Sequence, residues 1–198
     1  MNKVFSFAKV AGICIPFIMI LRIVMAVLKV SNPIVNVITT FVVCTLWIVF
    51  FCLLIKASAK RSPVVAPSWI AIAATVISFI AGVMSNYAFL MIRQDPAAWE
   101  KVSSLYGIAG VVNLISIILA AIAFFWLAKY FAKGSALKVA SILIAIVTII
   151  QPTLSAVLNV MHIRIGATFQ IGLSVFWSLA IFIPIMIFFF AFSNLKKA

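Results

Sequence analysis

Arg22 lies inside an otherwise apolar stretch that runs from about residue 10 to Lys29. An arginine near mid-membrane costs at least about 2.5–3.5 kcal/mol to insert, so it needs a chemical reason. No Asp or Glu lies within any apolar stretch of the chain to pair with it. Its partners must then be amides, hydroxyls, backbone carbonyls, water or an anionic ligand. Gln151 is the candidate partner. The alternative is that the guanidinium reaches back to the interface, since Lys29 marks the helix end about two turns away.

Six amides form a second polar set: Asn36, Asn86, Asn113, Gln151, Asn159 and Gln170. In lipid an amide usually bonds a neighbouring helix, at about 0.6 kcal/mol each. Most of these six fall toward one half of the membrane, which also suits a polar cavity open on that side. Gln151-Pro152 adds a break, because a proline leaves the carbonyl one turn earlier without its partner, and broken helices line sites. Pro16 and Pro184 are weaker versions of the same feature. Arg22, Gln151, Asn86, Asn159, Asn113 and Asn36 are therefore the candidate ligand-binding residues.

His162, Asp95 and Glu100 form a weaker outer-face polar set. One imidazole and two carboxylates are the groups of a metal or acid/base site. Asp95 and Glu100, however, flank Arg93 and Lys101 and read as solvated loop charges. Asp95-Pro96 also reads as a helix start with proline in first position. No catalytic or metal residue is assigned. No phosphate-binding, dinucleotide, zinc-protease, nucleophile-elbow or prenylation motif is present, and no cofactor is expected. Cys14, Cys44 and Cys52 all fall within apolar stretches and form no CxxC pair, so they read as apolar filler.

The elements that must hold these groups are helices in a membrane. The chain has 198 residues, 67% of them hydrophobic and 9% charged, with a mean hydropathy of +1.36. Soluble domains run about 45–50% apolar and about 25% charged. A span needs roughly 20 apolar residues to cover about 30 Å of hydrocarbon. Six blocks meet that length: about 10–29, 34–55, 68–92, 104–130, 138–161 and 168–192. The breaks between them carry turn and charge residues, and no room is left for a soluble domain. The runs are continuous rather than alternating, which excludes a β-barrel. The first block has no small-x-small cleavage site and reads as a retained helix. Gly107-x-x-Gly110, the Ala120, Ala121 and Ala123 run, and Ala73, Ala74, Ala81 and Gly82 read as close helix contacts.

Charge sets the expected orientation. The N-terminus, the second and fourth breaks and the C-terminus carry Lys3, Lys9, Lys56, Lys60, Arg61, Lys129, Lys133, Lys138, Lys196 and Lys197. The opposite side carries Lys29, Arg93, Lys101 and Arg164, and both acids. Both termini are expected in the cytoplasm of a bacterial-type inner or plasma membrane. The net charge of +13 is scattered over helix ends. It suits anionic headgroups, and nucleic acid is not an expected partner. Trp69, Trp99, Tyr106, Trp126 and Tyr130 fit an interfacial belt, with Trp47 and Trp177 deeper.

An internal repeat is expected. Val35-Asn36-Val37-Ile38 and a later Lys56-Ala57-Ser58-Ala59 match Val112-Asn113-Leu114-Ile115 and Lys133-Gly134-Ser135-Ala136 at an offset of 77. Lys9-Val10-Ala11-Gly12-Ile13 matches Lys138-Val139-Ala140-Ser141-Ile142 at an offset of 129. Ser68, Thr75 and Asn86 match Ser141, Thr148 and Asn159 at an offset of 73. Arg22, Ser78 and Gln151 then share one level. Gly172 stands where the sixth block should carry an Asn. The fold class that follows is an all-α membrane protein, a bundle of six transmembrane helices built as three tandem parallel hairpins in one domain, 1–198. The third and fourth helices should protrude on the side away from the termini.

Three functions compete. The leading one is a small transporter, channel or membrane-embedded binding subunit for a polar or anionic small molecule. The others are an assembly subunit contacting further membrane subunits, and a lipid-modifying enzyme using the His162 set. In size, six helices and cytoplasmic termini the chain resembles the substrate-binding components of energy-coupling-factor vitamin transporters. The resemblance is architectural, and no residue role follows from it.

Overall fold

A computed structural model describes residues 2–27, 33–58, 62–95, 99–160 and 167–194. These residues form six α-helices and no strand: α1 (Asn2–Val27), α2 (Pro33–Ala57), α3 (Val65–Gln94), α4 (Trp99–Tyr130), α5 (Ala136–Val160) and α6 (Ala167–Ser193). Five of them hold stretches long and apolar enough to cross a membrane, from Val37–Ala57 to Phe176–Ser193. In α1, a helix of 26 residues, the apolar stretch among the described residues is Ser6–Leu21. Large apolar side chains cover the outer surface. Phe7, Phe17, Phe176 and Phe190 are each more than half exposed, which supports embedding in a membrane.

The helix ends follow their residues. Pro33 opens α2, where its missing N–H would have no partner anyway. Pro67 sits within the first turn of α3, so the helix begins at Val65 rather than after the proline. Gly134 takes φ 79° in the α4–α5 turn. Ser135 next to it accepts the Lys138 N–H at 3.3 Å, an N-cap for α5. Asp95 closes α3, its N–H donating to the Met91 carbonyl at 3.0 Å. α4 is described from Trp99, so the expected start at Pro96 lies outside the described residues.

Each helix packs on its neighbours in the chain, and α6 packs back on α1, so the six close into a ring. The most extensive interface joins α3 and α4, the longest helices at 30 and 32 residues. The Lys9 ammonium donates to the carbonyl of Ser193. The last carbonyls of a helix lack partners and carry its negative end, so a cation there satisfies both needs. The bond also ties the two chain ends to one end of the ring.

That end is filled by aromatic rings. Phe50, Phe51, Phe188 and Phe189 are fully buried. Phe50 meets Phe51 at 5.1 Å, Phe189 at 4.9 Å and Phe192 at 5.1 Å, all edge-to-face, a favoured arrangement for aromatic pairs. Burial recurs at helical spacing. On α1 it falls at Ala8, Ala11, Gly12 and Ile15, on α3 at Pro67, Ser68 and Ala71, and on α5 at Leu137, Ala140, Ser141 and Ile144. On α2 it falls at Thr39, Phe50 and Phe51, on α4 at Ser116, Leu127 and Ala128, and on α6 at Phe188 and Phe189.

Candidate functional site

Above the aromatic cluster the ring holds a cavity of about 290 Å³. Five helices, α2 to α6, contribute to its described lining. Its floor is Trp47, Phe51 and Phe124. Trp47 stacks on Phe51 with centroids 5.6 Å apart and planes 16° apart, and meets Phe124 edge-on at 5.9 Å. Beneath lies Phe189, 5.1 Å from Trp47. Phe51 on α2 and Phe124 on α4 are each six residues from their helix ends, Ala57 and Tyr130, which places the floor about 9 Å into the ring.

The polar groups begin higher. Cys44, Thr75, Ser78, Ser116 and Thr148 line the middle of the cavity, and Thr40 and Asn113 its upper part. By the same count along α2 and α4 they lie about 20–26 Å from the chain-terminal end. Thr75 donates its hydroxyl to the Ala71 carbonyl at 2.8 Å. Ser116, 5% exposed, donates to the Ala74 carbonyl at 3.0 Å and so joins α4 to α3. The small residues Ala71, Ala74 and Ala120 open the space that these groups face.

Of the candidate binding residues, Asn113 lines this cavity, as does Ser78 from the level expected for Arg22 and Gln151. Gln151 is exposed and is not among the described lining residues. Asn86 turns its amide back on its own helix, donating to the Gly82 carbonyl at 2.8 Å. The side chains of Arg22, Asn36, Asn159 and Gln170 lie outside the described residues, as does the whole of His162. Asp95 and Glu100 are both exposed. Glu100 sits in the first turn of α4, where its charge suits the positive helix end. Among the described residues no three His, Cys, Asp or Glu side chains come together to hold a metal.

Apart from Ser78, marked by its level, the lining hydroxyls and Trp47 are not picked out as site residues by the sequence. Thr75 and Thr148 stood out only as a repeat match, and Cys44 as filler. The small residues divide. Ala74, Ala81, Ala121 and Ala123 are buried at helix contacts. Gly107 and Gly110 are not, because a Cβ added at either would meet nothing within 4 Å.

No family model, curated protein or solved structure matches the chain.

Proposed function

We propose that this integral membrane protein binds a polar small molecule in the central cavity, as a carrier or a membrane-embedded binding subunit. The cavity carries the reading: hydroxyls, a thiol and one amide from α2 to α5 face one space. Ligand sites are concave, mostly apolar and fitted with a few convergent polar groups. The aromatic floor closes the ring toward the chain termini, which favours a carrier or binding subunit over an open pore.

In this reading all six helices span the bilayer and both termini are cytoplasmic, on the side with the larger share of basic residues. A bacterial-type inner or plasma membrane is its setting. The chain is three tandem hairpins around the cavity. Burial supports this, because the offset of 129 carries Ala8, Ala11, Gly12 and Ile15 onto Leu137, Ala140, Ser141 and Ile144, buried on both helices. The offset of 77 likewise carries buried Thr39, Phe50 and Phe51 onto buried Ser116, Leu127 and Ala128. Aligned on these buried faces, Phe188 and Phe189 of α6 take the places of Phe50 and Phe51. Ser174, rather than Gly172, then falls at the level of Asn36 and Asn113.

The test is solvent access. Cysteines at Ser78, Asn113 and Thr148, placed one at a time in a cysteine-free background, should react with a water-soluble thiol reagent. A cysteine at the exposed apolar position Ile118 should not. Protection at all three cavity positions overturns the reading. One observation favours assembly as a second role. Gly107 and Gly110 present an open small-residue face on α4, where a further membrane helix could approach closely. Cross-linking between chains through a cysteine at Gly107 would support it.

A further inference from the structure

A groove runs along the outer surface where α1 and α6 close the ring. Its volume is about 410 Å³, and it shares no described lining residue with the central cavity. Ile13, Phe17 and Ile20 line it from α1 at helical spacing, and Met186, Phe190 and Ser193 line it from α6. Phe189, 2% exposed, is its floor, and Phe17 and Phe190, 67% and 70% exposed, stand on either side. The groove is apolar along its length and ends at a charge. Ser193 is its last described residue toward the chain termini, and the Lys9 ammonium donates to the Ser193 carbonyl. Lys9 continues the α1 stripe, one turn before Ile13. From Lys9 to Ile20 the stripe covers about 16 Å at 1.5 Å per residue. Half of a hydrocarbon core of about 30 Å is about 15 Å, so the charge and the groove together match the depth of one leaflet. The two acidic side chains of the protein, Asp95 and Glu100, lie at the opposite end of the helices. The positive charge at this end is therefore not offset by an acidic side chain.

The geometry points to a binding site for one acidic phospholipid. An acyl chain lies in the groove between Phe17 and Phe190, and the lipid phosphate pairs with Lys9. A bilayer lipid is the occupant because the groove opens onto the apolar outer surface, where lipid chains are the surrounding medium. Lys9 selects the headgroup, since a lysine at the membrane surface is attracted to anionic lipid, whereas a zwitterionic headgroup brings its own cation.

The experiment uses the full chain carrying Cys14→Ala, Cys44→Ala and Cys52→Ala, with Phe17→Cys labelled by bimane. Ile146→Cys is the control position. It is exposed on α5 and lies as far beyond Lys138 as Phe17 lies beyond Lys9, but it does not line the groove. Vesicles contain equal parts of phosphatidylglycerol and phosphatidylcholine with the same chains, one of the two brominated at mid-chain. At Phe17 brominated phosphatidylglycerol should quench with an apparent affinity roughly fivefold above that of brominated phosphatidylcholine, the worth of one lysine at an anionic headgroup. At Ile146 the ratio should be near one. Lys9→Gln should bring the Phe17 ratio to the Ile146 value, and Lys9→Arg should keep it. Ile13→Trp fills the groove, leaves Lys9 in place and should weaken quenching by both lipids at Phe17. Equal ratios at the two positions, a ratio that survives Lys9→Gln, unchanged quenching in Ile13→Trp, or no quenching at Phe17 by either lipid overturns the proposal. So does loss of the preference in excess inorganic phosphate at matched ionic strength, which would mark a site for the free anion. The comparison of the two labelled positions keeps Lys9 intact, so it decides even where Lys9→Gln does not fold.

Discussion

Gly12 is a point where α1 lies close against the aromatic cluster, and one added methyl group there tests that packing. A Cβ at Gly12 would stand 2.4 Å from Cδ1 and 2.7 Å from Cε1 of Phe189, far inside the 3.5–4.0 Å of a favourable carbon contact. The ring is not free to yield. Phe189 is 2% exposed and is held by Phe50 at 4.9 Å, Trp47 at 5.1 Å and Phe188 at 5.3 Å. It can turn aside only toward the apolar groove it shares with Ile13, Pro16 and Met186, losing its contact with Trp47. Overpacking of this kind costs about 1–3 kcal/mol. Alanine recovers about 0.8–1.0 kcal/mol over glycine in a helix. Gly12→Ala should therefore destabilise by about 1 kcal/mol. In a Phe189→Ala background the Cγ, Cδ1 and Cε1 atoms that the new methyl group meets are gone, and the same change should stabilise by about 0.8 kcal/mol. The assay is reversible unfolding in mixed micelles of rising denaturing-detergent fraction, run as a double-mutant cycle. The expected coupling is near 2 kcal/mol, within the range for side chains in contact. Equal effects of Gly12→Ala in both backgrounds, or stabilisation in the wild type, would refute the packing described for α1 and α6.

Three further changes probe other parts of the ring. Phe50→Ala removes a ring that packs against five others and should cost about 3–5 kcal/mol in the same unfolding assay. Ser116→Ala removes the bond to the Ala74 carbonyl that joins α4 to α3. It should cost about 0.6 kcal/mol, and no more than about 1.7. Gly110→Ala meets open space and should stabilise an isolated chain by up to about 1 kcal/mol; destabilisation would show that this face is packed against a partner.

The helices were legible in the sequence because bilayer length and continuous apolarity are one-dimensional signals. The six blocks correspond to six helices, each of which starts ahead of its block. α1 reaches back to Asn2 across Lys9, because the Lys9 ammonium finds the open carbonyl of Ser193, a contact between chain ends that no local pattern contains. The cavity was legible only in part. Asn113 and Ser78 were marked by their chemistry and level. Thr75, Ser116 and Thr148 were not, because a hydroxyl that bonds its own or a neighbouring helix looks like any other residue in an apolar run. Asn86 shows the converse: a conspicuous amide whose donor is satisfied within its own turn. Among the described residues nothing packs on Gly107 or Gly110, since small residues allow a close approach without supplying the helix that makes it.

In the proposed carrier, water reaches the middle of the ring from one side and stops at the aromatic floor. Cys44 lines the middle of the cavity, while Cys14 and Cys52 are exposed and do not line it. In sealed vesicles of known orientation, a membrane-impermeant thiol reagent should modify Cys44 when added on the side opposite the chain termini. Added on the side of the termini it should leave Cys44 intact. Modification from the side of the termini, or from neither side, would contradict the account.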